Sequence, residues 1–339
     1  MGVQPSTYSQ SIAGGIGYHA SHEQFSPSSL LDLVKQARDG GFDVFSCSDH
    51  FHPWSRRQGQ SGYAWSWLGA ALASTDCAGG VVCCPFLRYH PAIVAQACAT
   101  LLEMFPGRFW MAVGSGEALN EHIAGPWPDK PRRHAMLRES VEVMRALWRG
   151  EEVTHRGAVH VDRARLYTLP GQPPLLLAAA LTPETARWAG EWADGLITVS
   201  GARETMRSVV DAFRETAGVG KPVYLQVKMA YARDAETARM QAFDQWCTNV
   251  CDSRTAADTL TTEAFERQAA DVTPADVERA VRIAADPARH AAWLAEDFEM
   301  GFDGIYLHNV GTNQQEAIEV LCAQVLPQLS SYRPAASGR

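Results

Sequence analysis

The chain has 339 residues, of which 46% are hydrophobic, and carries a formal net charge of −8. The length suits one large α/β domain, and the acidic charge argues against binding to nucleic acid or to an anionic membrane surface. No apolar run is long enough to span a membrane, and residues 1–10 lack the features of a signal peptide, so we expect a cytoplasmic protein.

Short apolar runs alternate with amphipathic helical segments along most of the chain. Eight strands are predicted, at residues 12–18, 42–48, 80–84, 109–113, 175–180, 195–199, 223–230 and 304–308. The predicted helices lie at residues 28–38, 67–74, 91–104, 131–149, 183–192, 203–217, 286–300 and 314–326. Ser28 or Ser29 is the expected N-cap of the first helix.

Repeated strand–helix alternation indicates a parallel sheet, and eight units predict a closed (β/α)8 TIM barrel. An open, doubly wound sheet is the alternative. We expect one barrel domain over residues 11–330, with a β-hairpin insertion near 151–172, a helical insertion at 235–284 before the last strand, and a flexible tail at 331–339.

Two polar clusters follow predicted strands and point to an enzyme. The first is the run Ser48–Trp54, which reads Ser-Asp-His-Phe-His-Pro-Trp, and the second is Gly114–Asn120, which reads Gly-Ser-Gly-Glu-Ala-Leu-Asn. A barrel collects the carboxyl ends of its strands at one face, where chemistry takes place. Each of these residues, taken singly, is more simply explained by a structural role, as a cap or as part of the core. Their joint placement at the strand ends favours a role in catalysis instead.

General acid–base chemistry by His50 and Glu117 suits these clusters, because an imidazole titrates near neutrality and burial raises the pKa of a carboxylic acid. Metal binding is the other interpretation, with His19, Glu117 and His308 converging on His50 and His52. We expect no metal, because a His-x-His sequence in a loop need not direct both rings at one point. The pair Cys247 and Cys251 suits a structural role, as expected for cysteines in a reducing cytoplasm.

The chain resembles the luciferase-like superfamily of flavin- and deazaflavin-dependent oxidoreductases, above all the glucose-6-phosphate dehydrogenases that use coenzyme F420. A sister subgroup that uses ordinary flavin is also similar. The resemblance extends from about Gly15 to Leu326. Its most specific motifs are Ser21–Phe25, Ser48–Trp54, Arg88–Pro91 and Gly114–Asn120.

This resemblance implies that His50, Glu117, Trp54 and Glu23 form the hydride-transfer site. His50 would exchange the proton of the substrate carbinol, and Glu117 would exchange the proton of the ring nitrogen. Trp54 would wall the substrate against the ring, and Glu23 would orient His50 or the substrate.

The same resemblance implies a set of cofactor contacts. The ring would be bound by Asp49, Cys84, Ser115 and Asn120, and by a bulge at Val81 and Val82 that carries a cis peptide. The cofactor phosphate would lie at the turn formed by Leu181, Thr182, Glu184 and Thr185, which suits a helix N-terminus.

Departures from the family pattern bear on the substrate and the cofactor. The family's sugar-phosphate site has a basic residue after the sixth strand, whereas this chain has Val199–Ala202 there, without a basic residue. A second basic position of the family aligns with Ala280, although Arg279 and Arg282 are close to it in the sequence. We therefore predict a small organic substrate other than glucose-6-phosphate. Leu181 and Thr182 stand where the family has two glycines, so FMN stays an alternative to coenzyme F420, which the intact acid–base quartet favours.

Three classes of function follow from these observations. The leading prediction is a hydride-transferring oxidoreductase with coenzyme F420 or a flavin. The second is an FMN-dependent monooxygenase or flavin reductase, and the third is a metal-dependent hydrolase or a barrel without enzymatic activity. The resemblance also implies a homodimer.

Overall fold

The computed structural model describes residues 14–332. The start of the first predicted strand and most of the predicted tail lie outside the described residues. The strands are β1 (Gly15–Ala20), β2 (Val44–Ser48), β3 (Ala78–Cys83), β4 (Phe109–Val113), β5 (Val153–Arg156), β6 (His160–Ala164), β7 (Leu175–Ala179), β8 (Gly195–Val199), β9 (Val223–Tyr231), β10 (Arg282–Ala284) and β11 (Gly304–Asn309).

Eight of these strands form a closed parallel barrel. The sheet runs β9-β11-β1-β2-β3-β4-β7-β8, and β8 pairs with β9 to close it. The predicted TIM barrel is confirmed, and the open doubly wound sheet is wrong because the last strand of the sheet pairs with the first. The short strand β10 adds to the outer part of β9, where Arg282 pairs with Met229. It lies in a stretch for which the sequence predicts mostly helix.

Helices connect the strands and cover the barrel. Their ranges are Pro27–Asp39, Ala64–Ser74, Pro91–Met104, Ala118–Glu121, Lys130–Trp148, Pro183–Gly190, Arg203–Ala217, Ala235–Trp246, Ser253–Asp258, Thr262–Gln268, Pro274–Glu278, Pro287–Glu299 and Gln314–Val320. Two turns of different pitch, Leu321–Val325 and Leu326–Tyr332, continue the last helix. Every helix within residues 14–332 is too short or too polar to cross a membrane.

The first helix begins earlier than the sequence predicts. Pro27 takes its first position, and the side chain of Ser26 caps it by accepting a hydrogen bond from the Ser29 amide at 3.3 Å. Proline has no amide hydrogen to satisfy and has a helical φ, so the residue before it becomes the cap. The predicted caps Ser28 and Ser29 therefore lie inside the helix.

Aromatic side chains fill the lower interior of the barrel. Trp110, Tyr224 and Tyr306 are fully buried and pack together there. They take the room that glycines leave on neighbouring strands, since a Cβ at Gly80 would collide with the Trp110 indole and one at Gly17 with the Tyr306 ring. Because this end is filled, the polar groups lie at the opposite end, where the strands terminate.

Two segments stand outside the barrel's strand–helix repeat. Strands β5 and β6 form an antiparallel pair of their own between β4 and β7. Four helices over residues 235–278 follow β9 and pack across the end of the loop after β2, where Thr262 donates a hydrogen bond to the Pro53 carbonyl at 2.9 Å.

Candidate functional site

Polar side chains from several strands meet at the carboxyl end of the barrel. His50 lies just after β2, and its Nδ1 pairs with Oε1 of Glu23, which follows β1. The other carboxylate oxygen of Glu23 accepts hydrogen bonds from the hydroxyls of Ser21 at 2.7 Å and Ser48 at 2.8 Å. The buried Glu23 carboxylate therefore has partners on both oxygens, and the His50 ring is held in one orientation.

The pairing changes the pKa of both groups. Burial on its own would raise the pKa of Glu23, but the charge and hydrogen bond of His50, together with Ser21 and Ser48, lower it below its ordinary value. Burial would likewise lower the pKa of His50, but the carboxylates of Glu23 and Glu117 raise it to about 9. An ionised pair is therefore favoured at neutral pH.

A second carboxylate faces the other ring nitrogen of His50. Oε2 of Glu117, which follows β4, lies 3.7 Å from Nε2 of His50. Burial raises the pKa of Glu117, against the opposing influence of His50. An imidazole between a carboxylate that anchors it and one that faces its free nitrogen can exchange a proton with a bound molecule.

The loop after β2 separates the roles of the two histidines. Oδ1 of Asn120 accepts hydrogen bonds from the amides of Phe51 at 2.9 Å and His52 at 3.1 Å. Nδ1 of His52 lies 2.8 Å from the Leu119 carbonyl oxygen, so this ring is held by the backbone. Within residues 14–332, no group of three His, Cys, Asp or Glu side chains is arranged to hold a metal ion.

Trp54 forms an apolar wall beside the acid–base pair. Its ring meets that of His50 edge to face, with the centroids 5.3 Å apart. On its other side it packs on Phe265, which belongs to the helical segment after β9, at 5.1 Å. Both Trp54 and Phe265 are buried, so this segment helps to fix one wall of the site.

A buried arginine joins the loops after β2, β3 and β4. The guanidinium of Arg88 donates to the Asp49 carbonyl oxygen at 2.7 Å and to Oε1 of Glu121 at 3.3 Å. Tyr89 donates its hydroxyl hydrogen to Oδ1 of Asp49 at 2.8 Å. Burial raises the pKa of Glu121 to about 7, although Arg88 opposes this shift. These contacts connect the backbone that carries His50 to the helix that follows Glu117.

Small residues form an apolar floor at the mouth of the barrel. Val82, Gly114, Ala179 and Val199 lie at or next to the ends of their strands in partly exposed positions, whereas most of the residues beside them are buried. Val82 and Ala179 pack on the aromatic cluster of the interior. An apolar surface at the same barrel mouth as His50 and Glu117 can accept a planar ring.

The predicted ring contacts Val81 and Val82 are neighbours in β3. The side chain of Val81 lies in the core outside the barrel interior. All peptide bonds within residues 14–332 are trans, so the predicted cis peptide between Val81 and Val82 is wrong. Both residues pair in regular register with β2 and β4, as ordinary strand residues do.

The remaining predicted contacts lie at the end of β3 and near β7. Cys84 is buried under the loop after β4, where a Cβ on Gly116 would lie 2.8 Å from its sulfur. Ser115 is partly exposed in that loop. At the helix after β7, the Thr182 side chain caps by accepting from the Thr185 amide at 3.3 Å. Nearby, the Glu184 carboxylate lies 3.3 Å from Nζ of Lys130.

Buried histidines line the inner wall but carry no charge there. Burial lowers the pKa of His19 to about 4 and that of His308 well below its ordinary value. Their rings lie 4.8 Å apart, and His308 is hydrogen-bonded to Gln24 at 2.8 Å. Both are held as neutral groups by these surroundings.

Sequence reasoning missed several residues that hold the site together. Ser21 and Ser48 support Glu23, and Glu121 and Tyr89 support the loop at Asp49. Ser21, Ser48 and Tyr89 do lie inside motifs that the sequence singles out. Glu121 directly follows the second cluster, so a longer reading of that motif would have included it.

Comparison with known proteins places the chain in a family. A family model described as luciferase-like monooxygenase matches residues 8–304, which is most of the chain. The chain belongs to this family. The family resemblance inferred from the four motifs is therefore confirmed.

Similar proteins match more than nine-tenths of the chain. A protein of Nakamurella multipartita called F420-dependent glucose-6-phosphate dehydrogenase is 35% identical, over 92% of this chain and 96% of its own. A protein of the same name from Beutenbergia cavernae is 36% identical, over 93% and 97%.

Solved structures of luciferase-like proteins share the fold. An F420-dependent secondary alcohol dehydrogenase in complex with an F420–acetone adduct has a TM-score of 0.87 and 32% identity, covering 94% of this chain and 99% of its own. The oxygenating constituent of a diketocamphane monooxygenase in complex with FMN has a TM-score of 0.67 and 16% identity, covering 93% and 98%. At that identity the second likeness is one of fold alone.

Proposed function

We propose that this protein is an oxidoreductase that transfers a hydride between coenzyme F420 and a small alcohol or its carbonyl product. The observation that carries the proposal is the His50 imidazole held between Glu23 and Glu117 at the mouth of the barrel. The names of the similar full-length proteins, which are F420-dependent dehydrogenases, support the choice of cofactor.

The residues at the mouth fit a deazaflavin. The apolar floor of Val82, Gly114, Ala179 and Val199 would lie under the ring, with Ser115 and Asn120 at its polar edge. The turn before the Pro183–Gly190 helix would receive the phosphate, as the family resemblance implies. When bound, coenzyme F420 supplies a two-electron centre that accepts or releases a hydride.

Each catalytic side chain has a separate task in this proposal. His50 takes the hydroxyl proton of an alcohol, or returns it to the carbonyl product, through Nε2. Glu23 holds the Nδ1 side of the ring and favours the protonated imidazole. Glu117 exchanges the second proton at the ring nitrogen of the cofactor, and Trp54 excludes water from one side of the substrate.

We propose a substrate other than glucose-6-phosphate because the arginines near the outer end of β8 are already paired. Arg279 forms an ion pair with Asp276, and Arg282 donates to Oδ1 of Asp297 at 2.9 Å. Both line a cleft of about 380 Å³ beside Ser200. A phosphate dianion would have to break these pairs to gain the contacts it requires.

One feature favours a second candidate, an FMN-dependent monooxygenase or flavin reductase. The Leu181 side chain, which is 47% exposed, projects from the turn proposed for the phosphate. Side chains at this turn restrict the approach of a bulky tail, and FMN has a shorter tail than coenzyme F420.

Parallel titrations of the purified protein with coenzyme F420 and with FMN, followed by tryptophan fluorescence, separate these candidates. We expect coenzyme F420 to bind more tightly and His50→Ala to bind it as well as the wild type. Tight binding of FMN alone, with oxygen consumption, would support the second candidate. Binding of neither would contradict both.

We also propose that the protein acts in the cytoplasm, as its sequence predicts, and that it is a homodimer, as the family resemblance implies. Sedimentation velocity tests the assembly, with an expected mass of twice the 37.1 kDa of one chain. A species of single-chain mass at micromolar concentration would contradict the dimer.

A further inference from the structure

Lys228 lies at the mouth of the barrel and has no part in the proposed mechanism. It is in β9, opposite His308 of β11 in the parallel register. Its neighbours Val227 and Met229 pack in the core outside the barrel, while Tyr224 packs inside it. Because side chains alternate along a strand, Lys228 faces inward with Tyr224, nearer the open end.

The ammonium group of Lys228 has no ion-pair or hydrogen-bond partner among the described residues. It faces the ring of Trp246, whose centroid lies 5.7 Å from Nζ. The charge also interacts at longer range with Glu117 and with His308. Burial lowers the pKa of Lys228, although Glu117 opposes this shift. A partly buried cation without an ion-pair or hydrogen-bond partner is costly unless a bound anion completes the site.

Other cations near the mouth are already neutralised. Arg88 is bonded to Asp49 and Glu121, and Arg282 to Asp297. His19 and His308 are held neutral by burial. Lys228 therefore provides a single positive charge, which matches a monoanion such as a carboxylate better than a phosphate dianion.

We propose that Lys228 binds the carboxylate of the substrate, so that the enzyme interconverts a small 2-hydroxy acid and its 2-oxo acid. This inference rests on the proposed function. Lys228 lies in register with His308 of β11, and Glu117 interacts electrostatically with both His50 and Lys228, so His50 and Lys228 border the same mouth of the barrel. The aromatic rings of Trp54 and Trp246 would flank the short carbon chain between them.

The reaction balances with the cofactor already proposed. The bond between carbon 2 and its hydrogen breaks, and its electron pair goes with the hydrogen to coenzyme F420. The hydroxyl proton goes to His50, and a carbon–oxygen double bond forms. The carboxylate on Lys228 is unchanged, so Lys228 acts by binding and by orienting carbon 2.

The test compares two pairs of molecules that differ only in the anionic group. The reactive pair is lactate and propan-2-ol, and the unreactive pair is isobutyrate and isobutyramide. The wild type is compared with Lys228→Met, which removes the charge at similar length, with Lys228→Arg, which retains it, and with Lys35→Met, an exposed lysine beside Asp32.

We expect the wild type loaded with coenzyme F420 to bind isobutyrate about 10- to 100-fold more tightly than isobutyramide by calorimetry, the usual effect of a charge-assisted hydrogen bond. Lys228→Met should abolish that preference and lower kcat/KM for lactate by a similar factor, mostly through KM. Turnover of propan-2-ol should change less than threefold. Lys228→Arg should retain part of the preference, and Lys35→Met all of it.

Two results would overturn the assignment. One is equal binding of isobutyrate and isobutyramide by the wild type. The other is an equal loss of lactate and propan-2-ol turnover in Lys228→Met, which would mean that Lys228 acts through Glu117. Calorimetry is also repeated without coenzyme F420, so that the preference for isobutyrate is measured even if the cofactor does not bind. Failure to bind the cofactor would contradict the proposed function. Equal binding of isobutyrate and isobutyramide would contradict the role of Lys228.

Discussion

The Nδ1 of His50 is paired with the buried carboxylate of Glu23, and this contact joins the end of β2 to the end of β1. Ser21 and Ser48 hold the second oxygen of the same carboxylate. The pair raises the pKa of His50 to about 9, because the attraction of Glu23 and Glu117 exceeds the effect of burial. At neutral pH the imidazole is therefore ready to give a proton to a carbonyl oxygen.

This pairing predicts the pH dependence of alcohol oxidation. Oxidation requires neutral His50, so kcat/KM should rise with pH and reach half its maximum near the raised pKa. In Glu23→Gln the attraction between the Glu23 carboxylate and His50 is lost, and burial then lowers the pKa of His50. The midpoint of the profile should therefore move down by about 1–3 pH units. Steady-state rates measured between about pH 5 and 10 (a range that covers both values) test this.

Lys35→Met serves as the matched control for that profile, because it also changes the net charge by one unit but at the surface. Its midpoint should equal that of the wild type. An unchanged midpoint in Glu23→Gln would remove His50 from the titration that controls the rate.

The two histidines of the His-x-His sequence should respond differently to substitution. His50→Ala removes the proposed acid–base group and should lower kcat by about 10²–10⁴. His52→Ala should lower it less than tenfold, because that ring is directed to the Leu119 carbonyl. Single-turnover rates at saturating coenzyme F420 make the comparison, and equal losses would contradict the separate roles of the two rings.

Arg88 should be important for stability as well as for geometry. Asp49 and Glu121 are buried, so Arg88→Met leaves carboxylates without their cation and should lower the free energy of unfolding by about 3–5 kcal/mol. The control is Arg38→Met, which breaks an exposed pair with Asp76 and should lower the free energy of unfolding much less. Urea unfolding measures the free energy of unfolding of both variants. Similar losses in Arg88→Met and Arg38→Met would contradict the larger contribution of the buried pair.

Gly116 and Gly69 should respond to alanine with opposite signs. Gly116 has a φ of +73°, and a Cβ there would lie 2.8 Å from the Cys84 sulfur, so Gly116→Ala should destabilise by at least about 1–2 kcal/mol. Gly69 lies within a helix with open space around it, so Gly69→Ala should stabilise by about 0.5–1 kcal/mol. Thermal unfolding of both variants tests the pair, and a loss of stability in Gly69→Ala would contradict the argument.

Much of the fold follows from patterns along the chain. The helices at Pro91–Met104 and Arg203–Ala217 and the strand Gly195–Val199 have the predicted bounds, because each has a clear apolar period and a clear boundary. The short strand β10 is not predicted, because three residues carry no measurable period. Its strand conformation depends on pairing with β9, which is a long-range contact.

The candidate site was predictable in part. Strand-end placement located His50 and Glu117, and the motifs located Glu23 and Trp54. The support from Ser21, Tyr89 and Glu121 was not predictable, because a hydrogen-bond partner depends on where distant loops meet. The trans peptide between Val81 and Val82 was also not predicted, because it accompanies regular pairing of β3 with its two neighbouring strands.

The sequence by itself determined the strand–helix alternation, the barrel class and the residue types at the strand ends, because these depend on local periodicity and on the order of elements. Only the tertiary structure decided which histidine faces which carboxylate, and that Arg88 is neutralised whereas Lys228, among the described residues, is not. The physical reason is that charge and hydrogen bonding act through space, and residues far apart in the chain become neighbours only when the barrel closes.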